Sequence, residues 1–362
     1  MIKRNILLNP GPATTTDSVK MAQVVPDICP REREFGEVVQ YCADKLVEIS
    51  HGQKEYECVF FGGSGTAAMD AVINSVVAPA KKLLVLNNGL YGKRMVEIAK
   101  TYSIPCINLD FNYGKIDLQR IEEIIAAESN LEYIAMIHHE TTNGRLNPVK
   151  EVGELTKKHS KVFIVDAISS FAGIPFSVKD YNINFMLSTS NKCIQGMAGI
   201  SFVIARRDEL EKTKDYPKRS FYLNLYSQYD FFKKTHQIQF TPPVQTFYAL
   251  KKAIEEFLQE GAESRYKRLV TNWEAVVKGM YNLGFRKILD DSEESKILTT
   301  FNLPEEIDFD KIHSSLYKKG FTIYPGKISG ANTFRIANMG AINLEDIVNF
   351  LITMKETLRE IK

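Results

Sequence analysis

The sequence predicts an α/β fold with a large domain on a mostly parallel, doubly wound seven-stranded sheet and a smaller C-terminal α+β domain. Short apolar segments alternate with helical patterns between about residues 57 and 205, the order typical of a parallel sheet with helices on both faces. The strand segments are apolar almost throughout, as expected when both faces of a sheet are buried. From about Gly284 the composition shifts to mixed strands and a terminal amphipathic pattern, which indicates a second unit.

The predicted elements follow one another in a simple order. The seven predicted strands of the large sheet are 57–61, 83–86, 106–109, 133–138, 162–166, 185–187 and 200–204. Helical patterns cover 67–77, 92–102, 118–127 and 149–159. Residues 206–245 are aromatic and polar without a clear period, so we expect irregular structure there, followed by a long helical region to about Leu283. In the second unit we expect strands at 297–301 and 334–337 and a helix at 348–362. We place domain limits at 1–15 (N-terminal segment), 16–265 (large domain) and 266–362 (small domain).

Composition excludes several classes of protein. The apolar fraction of 44% and the charged fraction of 25% are those of ordinary globular proteins. The net charge of +2, with no dense basic run, gives no indication of nucleic-acid binding. No apolar run approaches the roughly 20 residues of a membrane-spanning helix, and the stretch Met1–Asn5 lacks the apolar core of a signal peptide. The five scattered cysteines indicate reduced thiols. We expect a cytoplasmic enzyme with small-molecule substrates and no membrane partner.

The most informative stretch places Lys192 after one predicted strand and Asp166 at the end of the strand before it. Each alone has a simpler explanation, since a lysine is usually a solvated charge and an aspartate often caps a helix. Together they are the two groups that a pyridoxal phosphate enzyme needs. The lysine holds the cofactor as a Schiff base, and the carboxylate pairs with its pyridinium nitrogen. Desolvation also lowers the pKa of a lysine, which can then accept and donate protons as the free amine.

A glycine-containing turn, Gly62–Thr66, lies where the first strand passes into a helix. Free amides at a helix N-terminus, with hydroxyl groups beside them, bind phosphate well. An ordinary strand-to-helix turn is the simpler alternative. The turn lacks the P-loop lysine and does not fit the dinucleotide fingerprint, so nucleotide binding is the weaker functional interpretation.

Three further segments carry candidate site residues. The stretch His138–Gly144 follows a strand, and its hydroxyls are candidates to bond the cofactor's phenolic oxygen. Its paired histidines do not indicate a metal site, because adjacent residues on a strand point to opposite faces. Tyr91 follows another strand and is either a stacking ring or a core residue. Arg335 lies in a mixed strand, where a partly buried arginine needs an anionic partner, either a structural carboxylate or a substrate.

With these pieces in order, the chain resembles the class V (fold type I) pyridoxal phosphate aminotransferases over nearly its whole length. Within that family it is most similar to the branch that transaminates 2-aminoethylphosphonate with pyruvate. The matching segments are 7–12, 63–66, 88–92, 140–142, 166–171, 190–196, 324–327 and 334–340. The string Asn191-Lys192-Cys193-Ile194-Gln195-Gly196 is the most specific of them, because alanine:glyoxylate and serine:pyruvate aminotransferases have other neighbours around the lysine.

The resemblance implies roles for individual residues. Lys192 would be the Schiff-base lysine and Asp166 the pyridinium partner, the two catalytic residues. Arg335 would bind the anionic end of the substrate. The remaining cofactor contacts would be Ser64, Gly65 and Thr66 at the phosphate with Asn191 nearby, Tyr91 stacked on the ring, Thr141 near the phenolic oxygen, and Thr241 reaching the phosphate from a partner subunit. The resemblance therefore implies a homodimer with shared active sites and no metal.

Two departures from the family pattern fall where substrate selection can be tuned. The loop Gly196–Gly199 lacks the proline that relatives usually carry before the last glycine, and the segment Cys29–Phe35 differs from better-known members. An alanine:glyoxylate or serine:pyruvate aminotransferase therefore stays an alternative. A cysteine desulfurase also needs a cysteine on a mobile loop, for which Cys193 is badly placed. A non-catalytic protein of this fold would be expected to have lost at least one of Lys192, Asp166 and Arg335.

Overall fold

The computed structural model describes residues 4–361. Residues 1–3 and 362 lie outside the described residues. The first three belong to the predicted N-terminal segment and to the stretch that we expect to lack a signal peptide, and residue 362 ends the predicted small domain. The strands, in chain order, are β1 (Ile6–Leu7), β2 (Tyr56–Gly62), β3 (Lys82–Asn87), β4 (Cys106–Asp110), β5 (Leu131–Ile137), β6 (His139–Glu140), β7 (Arg145–Leu146), β8 (Val162–Asp166), β9 (Phe185–Thr189), β10 (Ile200–Arg206), β11 (Leu298–Asn302), β12 (Phe321–Thr322), β13 (Tyr324–Pro325) and β14 (Thr333–Ala337).

Helices fill the connections between these strands. They are α1 (Asp17–Met21), α2 (Arg33–Ile49), α3 (Gly65–Val76), α4 (Leu90–Thr101), α5 (Leu118–Ala127), α6 (Val149–Lys158), α7 (Arg207–Lys212), α8 (Leu225–Thr235), α9 (Val244–Glu260), α10 (Ala262–Asn282), α11 (Phe309–Lys318) and α12 (Leu344–Glu360). None of the helices within residues 4–361 is both long enough and apolar enough to cross a membrane.

The central sheet has seven strands in the order β2-β10-β9-β8-β5-β3-β4. β10 is antiparallel to both of its neighbours, and the other pairings are parallel. The predicted mostly parallel sheet of seven strands is therefore confirmed. Because β10 alone is reversed, β2 runs in the same direction as the remaining five strands, and their carboxyl ends share one edge.

Apolar side chains cover both faces of this sheet. One cluster joins alternate residues such as Phe60, Met136 and Phe163 to helices that include α2 and α9, and the other joins Val59, Ala135 and others to α3 and α4. Burial on both faces is the reason that the strand sequences are apolar at almost every position.

The C-terminal residues form a smaller α+β unit. β11, β14 and β13 make an antiparallel sheet, and β1 pairs in parallel with β12. Ile6 and Leu8 are buried in the same apolar cluster as Phe334 and Phe350, so the N-terminal strand packs with this unit. The domain limits at residues 15 and 265 stay predictions.

The expectation of irregular structure over 206–245 is wrong in part, because α7 and α8 lie within it. The side chain of Asn224 accepts a hydrogen bond of 2.8 Å from the amide of Ser227 and so caps α8. Leu225, Gln228 and Tyr229 form its buried face, a helical i, i+3, i+4 spacing that the surrounding aromatic residues obscured. The long helical region is divided at Gly261, whose φ of +81° favours glycine and separates α9 from α10.

A tightly packed glycine gives a stability test of this fold. Gly153 is buried in the middle of α6, and a Cβ there would overlap the carbonyl oxygen of Tyr181. In an open helix Gly→Ala is stabilising by roughly 1 kcal/mol. Here we expect Gly153→Ala to destabilise the cofactor-free protein by about 1–3 kcal/mol, as overpacking does. Urea unfolding measures the change in the free energy of unfolding. Glu154→Ala, at the exposed neighbouring position, is the control. A Gly153→Ala protein as stable as the unmodified one would contradict the packing described.

Candidate active site

Segments that follow five strands of the central sheet meet at its common carboxyl edge. β8 ends at Asp166, and Lys192 follows β9. The segments 138–144, 88–91 and 63–66 follow β5, β3 and β2 in the same way. Ligands of open α/β sheets bind at this edge. The fold therefore gathers the predicted large-domain site residues in one region, with the exception of Thr241.

Lys192 has a half-buried side chain directed toward the N-terminal segment. Its Nζ donates a hydrogen bond to the carbonyl oxygen of Pro10, and Gly11 lies so close that a Cβ there would overlap the amine. Burial lowers the pKa of Lys192 to about 8; the charge of Asp166 acts in the opposite direction, and that of Arg335 adds to the lowering. At pH 7 roughly a tenth of this amine is therefore neutral, far more than of an ordinary lysine.

Asp166 is a buried carboxylate at the end of β8, only 3% exposed. One oxygen accepts a hydrogen bond of 2.7 Å from the amide of Ile168. Burial raises the pKa of Asp166 to about 7, and the nearby charge of Lys192 lowers it. Within residues 4–361 Asp166 forms no salt bridge at contact distance, so a cation placed against it would hold it ionised.

The predicted phosphate-binding turn lies at the N-terminus of α3. Ser64 is the N-cap residue, and its side chain makes no capping hydrogen bond. The amide of Ala67 donates to the carbonyl of Ser64 at 2.8 Å, whereas the amides of Gly65 and Thr66 have no partner among the described residues and can face an anion. Gly65 is packed by Ile168, whose Cδ1 would lie 2.6 Å from a Cβ at this position. The hydroxyl of Thr66 accepts a hydrogen bond of 3.1 Å from Nη1 of Arg94, which adds a cation beside the turn.

Glu140 is a buried residue of this site that the sequence did not single out. One carboxylate oxygen accepts hydrogen bonds from the amide and the hydroxyl of Thr142, at 3.0 and 2.5 Å. The other accepts one of 3.3 Å from the amide of Tyr91. Burial raises the pKa of Glu140, and these bonds lower it. The carboxylate thus holds the first turn of α4 and positions Tyr91, whose ring lies 4.9 Å from the guanidinium of Arg94.

Arg335 comes from β14 of the small unit and reaches the same region. Its Nε donates to the carbonyl of Pro325 and its Nη1 to the carbonyl of Thr141, each at 3.0 Å. The residue is 1% exposed, and its Nη2 has no protein partner. The structural salt bridge considered from the sequence is therefore not what holds Arg335 among the described residues. A buried guanidinium with one free donor group is suited to an anionic ligand.

Two predicted cofactor contacts are less directly placed. The carbonyl of Asn191 accepts a hydrogen bond of 2.9 Å from the amide of Ala13, and its side chain makes no hydrogen bond within residues 4–361. Thr241 is exposed just before α9, and no hydrogen bond in the described part of the chain joins it to Ser64 or Thr66. A role for Thr241 therefore depends on a second subunit.

One departure from the family pattern contacts this region, and the other contacts the segment before Thr241. The carbonyl of Gly199 accepts a hydrogen bond of 2.8 Å from the amide of Gly63, beside the phosphate-binding turn. Arg31 donates to the carbonyls of Ile238 and Gln239, at 2.6 and 3.1 Å, and so fixes the segment that leads to Thr241.

The residues present fit pyridoxal phosphate. The uncapped N-terminus of α3 suits its phosphate, and the carboxylate of Asp166 suits a protonated ring nitrogen. The hydroxyl of Thr141 is buried without a partner, as expected of a group that meets a ligand oxygen. Lys192 supplies the amine. Asp166 and Lys192 each make a hydrogen bond to a backbone group only, and neither forms a salt bridge within residues 4–361.

The pKa of Asp166 generates a test. Since its folded-state pKa is raised to about 7 above the ordinary 3.9 or so of an unfolded chain, its favourable contribution to stability is present at low pH. It is lost as the pH rises through about 7. We expect cofactor-free Asp166→Asn to become more stable relative to the unmodified protein between about pH 4 and pH 8, by on the order of 2–4 kcal/mol. Urea unfolding across that range measures the difference in unfolding free energy between the two proteins. A difference that does not change with pH would contradict the burial of Asp166.

Comparison with characterised sequences identifies close relatives. The 2-aminoethylphosphonate–pyruvate transaminase of Phocaeicola vulgatus is 39% identical over 356 residues, 97% of this chain and 98% of the relative. The transaminase of the same name from Vibrio cholerae is 40% identical over 359 residues, 98% and 97% of the two chains. That from Bacillus cytotoxicus is 42% identical over 347 residues, 94% of each.

Solved structures share the fold at lower identity. The ureidoglycine–glyoxylate aminotransferase of Bacillus subtilis superposes with a TM-score of 0.90 at 24% identity, covering 99% of this chain and 94% of that one. The alanine–glyoxylate aminotransferase of a Nostoc species gives a TM-score of 0.92 at 23% identity, with 99% and 96% covered. The family model "Aminotransferase class-V" matches residues 19–358. The chain therefore belongs to the class V aminotransferases, which are pyridoxal phosphate enzymes of fold type I.

Proposed function

We propose that this chain transfers the amino group of 2-aminoethylphosphonate to pyruvate, giving phosphonoacetaldehyde and L-alanine. The observation that carries the proposal is the nearly full-length identity of 39–42% with transaminases named for this reaction. Structures of enzymes named for glyoxylate as acceptor are 23–24% identical, which supports a common fold alone. The alanine:glyoxylate and serine:pyruvate alternatives are accordingly less well supported.

The residues of the site have roles that suit transamination. Pyridoxal phosphate, when bound, supplies an aldehyde carbon that accepts an amino group and a ring that accepts electrons. Lys192 Nζ, whose pKa burial lowers to about 8, can take the proton from the substrate carbon that bears the nitrogen and hold it for return. Acid–base groups of this kind typically contribute about 10²–10⁴-fold to rate. Asp166, held in place by the amide of Ile168, would be ionised by a protonated ring nitrogen placed against it and would pair with that nitrogen.

The same anion-binding arginine can serve both halves of the exchange. Arg335 is anchored by the carbonyls of Pro325 and Thr141, so its free Nη2 has a fixed direction. A phosphonate oxygen of the amine and a carboxylate oxygen of pyruvate can each accept from it in turn, as charge-assisted hydrogen bonds. The amino nitrogen leaves the first substrate, whose carbon becomes an aldehyde after hydrolysis, and joins the keto carbon of pyruvate.

A homodimer with shared active sites is part of the proposal. Phe221 is 86% exposed and Tyr222 42% exposed, and both rings contact Phe240, with centroids 5.6 and 4.9 Å away. We call Phe221, Tyr222 and Phe240 the aromatic patch. The Tyr222 hydroxyl would lie 3.4 Å from a Cβ at Gly62, so the patch adjoins the phosphate-binding turn. A second copy covering this patch would bury apolar area and bring its own Thr241 toward that turn.

A cytoplasmic location is also proposed for this enzyme. Its five cysteines are all free in the structure, which is usual in a reducing compartment.

The reaction is tested by a half-reaction on the cofactor-loaded protein. 2-Aminoethylphosphonate, alanine or serine is added separately, without keto acid, and the loss of the cofactor's absorbance is followed. We expect rapid bleaching by 2-aminoethylphosphonate and by alanine, and none by serine. Bleaching by alanine or serine, with no effect of 2-aminoethylphosphonate, would favour an alanine:glyoxylate or serine:pyruvate aminotransferase. Lys192→Ala is the matched control, and unimpaired multiple turnover in that variant would contradict the role of Lys192.

The dimer is tested by placing a charge in the aromatic patch. Phe221→Asp should shift the protein to a monomer in sedimentation velocity and weaken its affinity for pyridoxal phosphate, because a carboxylate on an apolar interface is left desolvated. Ile352→Asp is the control, since Ile352 is a 53% exposed apolar residue on α12 in the small unit. A Phe221→Asp protein that keeps both its dimer and its cofactor affinity would remove the patch from the interface.

A further inference from the structure

Arg335 does not provide enough charge for a phosphonate. Two of its three nitrogens are bound to backbone carbonyls, which leaves Nη2 as the free donor group. Near neutral pH a phosphonate carries close to two negative charges on three oxygens, whereas a carboxylate carries one charge on two, as the second ionisation of phosphate-like groups near pH 6 shows. A site that prefers the phosphonate therefore needs a second cation.

Lys327 lies where that cation is needed. It follows Pro325 by two residues, and the carbonyl of Pro325 accepts the hydrogen bond from Nε of Arg335. Pairing of β13 with β14 sets Tyr324 opposite Arg335. The amide of Gly326 then donates a hydrogen bond of 2.7 Å to the carbonyl of Thr333. The start of the Lys327 side chain is thus held beside the strand that carries Arg335.

Lys327 is close enough to the charged residues of the site to affect them. Burial lowers the pKa of Lys327, the charges of Arg335 and Arg94 lower it further, and Glu140 raises it. Its own charge is among those that lower the pKa of Lys192. These charge effects agree with the backbone geometry, which places Lys327 two residues after the carbonyl that Arg335 contacts.

No other role occupies this lysine. Within residues 4–361 Lys327 has no ion-pair partner and makes no side-chain hydrogen bond, so its ammonium is available to a ligand; unlike the equally unpaired Lys355, it lies next to the strand that carries Arg335. Glu140, the carboxylate that raises its pKa, already accepts from Thr142 and from the amide of Tyr91. The side chain is exposed, so it contributes little to the core.

We propose that Lys327 is a specificity-determining residue that, beside Arg335, selects doubly charged phosphonates over singly charged carboxylates. The inference rests on the proposed function and adds a residue to its substrate site. A lysine suits this task because its ammonium is a compact point charge with three donors on a flexible stem, and it can approach oxygens that the fixed Arg335 does not reach.

Equilibrium binding of small anions to the cofactor-loaded protein tests the proposal without requiring turnover. The probes are methylphosphonate, with two charges at pH 8, its monomethyl ester, with similar shape and one charge, and acetate. Dissociation constants are measured by calorimetry for the unmodified protein, Lys327→Met, Lys327→Arg and Lys355→Met. Lys355 is an exposed lysine on α12 without an ion-pair partner in the described residues, and so is the matched control.

We expect Lys327→Met to weaken methylphosphonate binding roughly 10- to 100-fold, the range of one charge-assisted contact, and to change binding of the ester and of acetate by less than about 3-fold. Lys327→Arg should retain most of the preference, and Lys355→Met all of it. An equal loss for all three probes, no loss for any, or an unmodified protein without preference for methylphosphonate would each overturn the proposal.

Different results would contradict the proposed function and the proposed role of Lys327. A protein that shows the Lys327-dependent preference but is not bleached by 2-aminoethylphosphonate would keep Lys327 as a selector of doubly charged anions and would exclude the proposed amino donor. A protein that is bleached by 2-aminoethylphosphonate while Lys327→Met binds methylphosphonate normally would keep the reaction and overturn the role of Lys327.

Discussion

Two opposite charges at the carboxyl ends of neighbouring strands are the constraint on which the site depends. Asp166 ends β8 and Lys192 follows β9, and burial pushes the pKa of each toward its neutral form, to about 7 and about 8. Each charge opposes the shift of the other, but neither has a salt-bridge partner at contact distance in the described residues. An arrangement of this kind is poorly explained as a contribution to stability. It is well explained as a place for a ligand that carries a complementary positive ring and an electrophilic carbon.

The rest of the site is arranged around this pair by backbone contacts more than by side-chain ones. The carbonyl of Pro10 accepts a hydrogen bond from the amine of Lys192. The carbonyl of Thr141 accepts one from the guanidinium of Arg335, which belongs to the other unit. Glu140 caps the turn that carries Tyr91. Rigid anchoring of this sort fixes side-chain directions before a ligand arrives, which lowers the cost of ordering them on binding. It also makes the small unit part of the site, since Arg335 of β14 reaches the carbonyl of Thr141, and the side chains proposed to bind the substrate's anion come from this unit.

Much of the large domain could be predicted from the sequence, because its strands are buried on both faces and read as apolar runs. Lys192 and Asp166 were recognisable for the same reason, as the polar residues that end such runs. Glu140, Arg94 and Lys327 were not identified as site residues. Their importance depends on partners that are distant in the chain, as with the contact of Arg94 with Thr66. Within 206–245, α8 was missed because its aromatic residues hide the period, and α7 because a helix of six residues is too short to show one. The roles of individual site residues and the domain limits stay predictions.

The division of labour between the two units has a consequence for how the family diversifies. The groups suited to the cofactor lie on the large domain, at positions set by strand ends, and they serve any amino donor. The groups proposed to bind the substrate's anion lie in the small unit, Arg335 on β14 and Lys327 in the segment between β13 and β14, where a change would not disturb that core. Solved relatives with different named substrates keep the whole fold at TM-scores of 0.90 and 0.92 despite identities below 25%. If Lys327 has the proposed role, the amino donor is selected by charges on the small unit, and that selection can change there while Lys192 and Asp166 keep their positions at the strand ends.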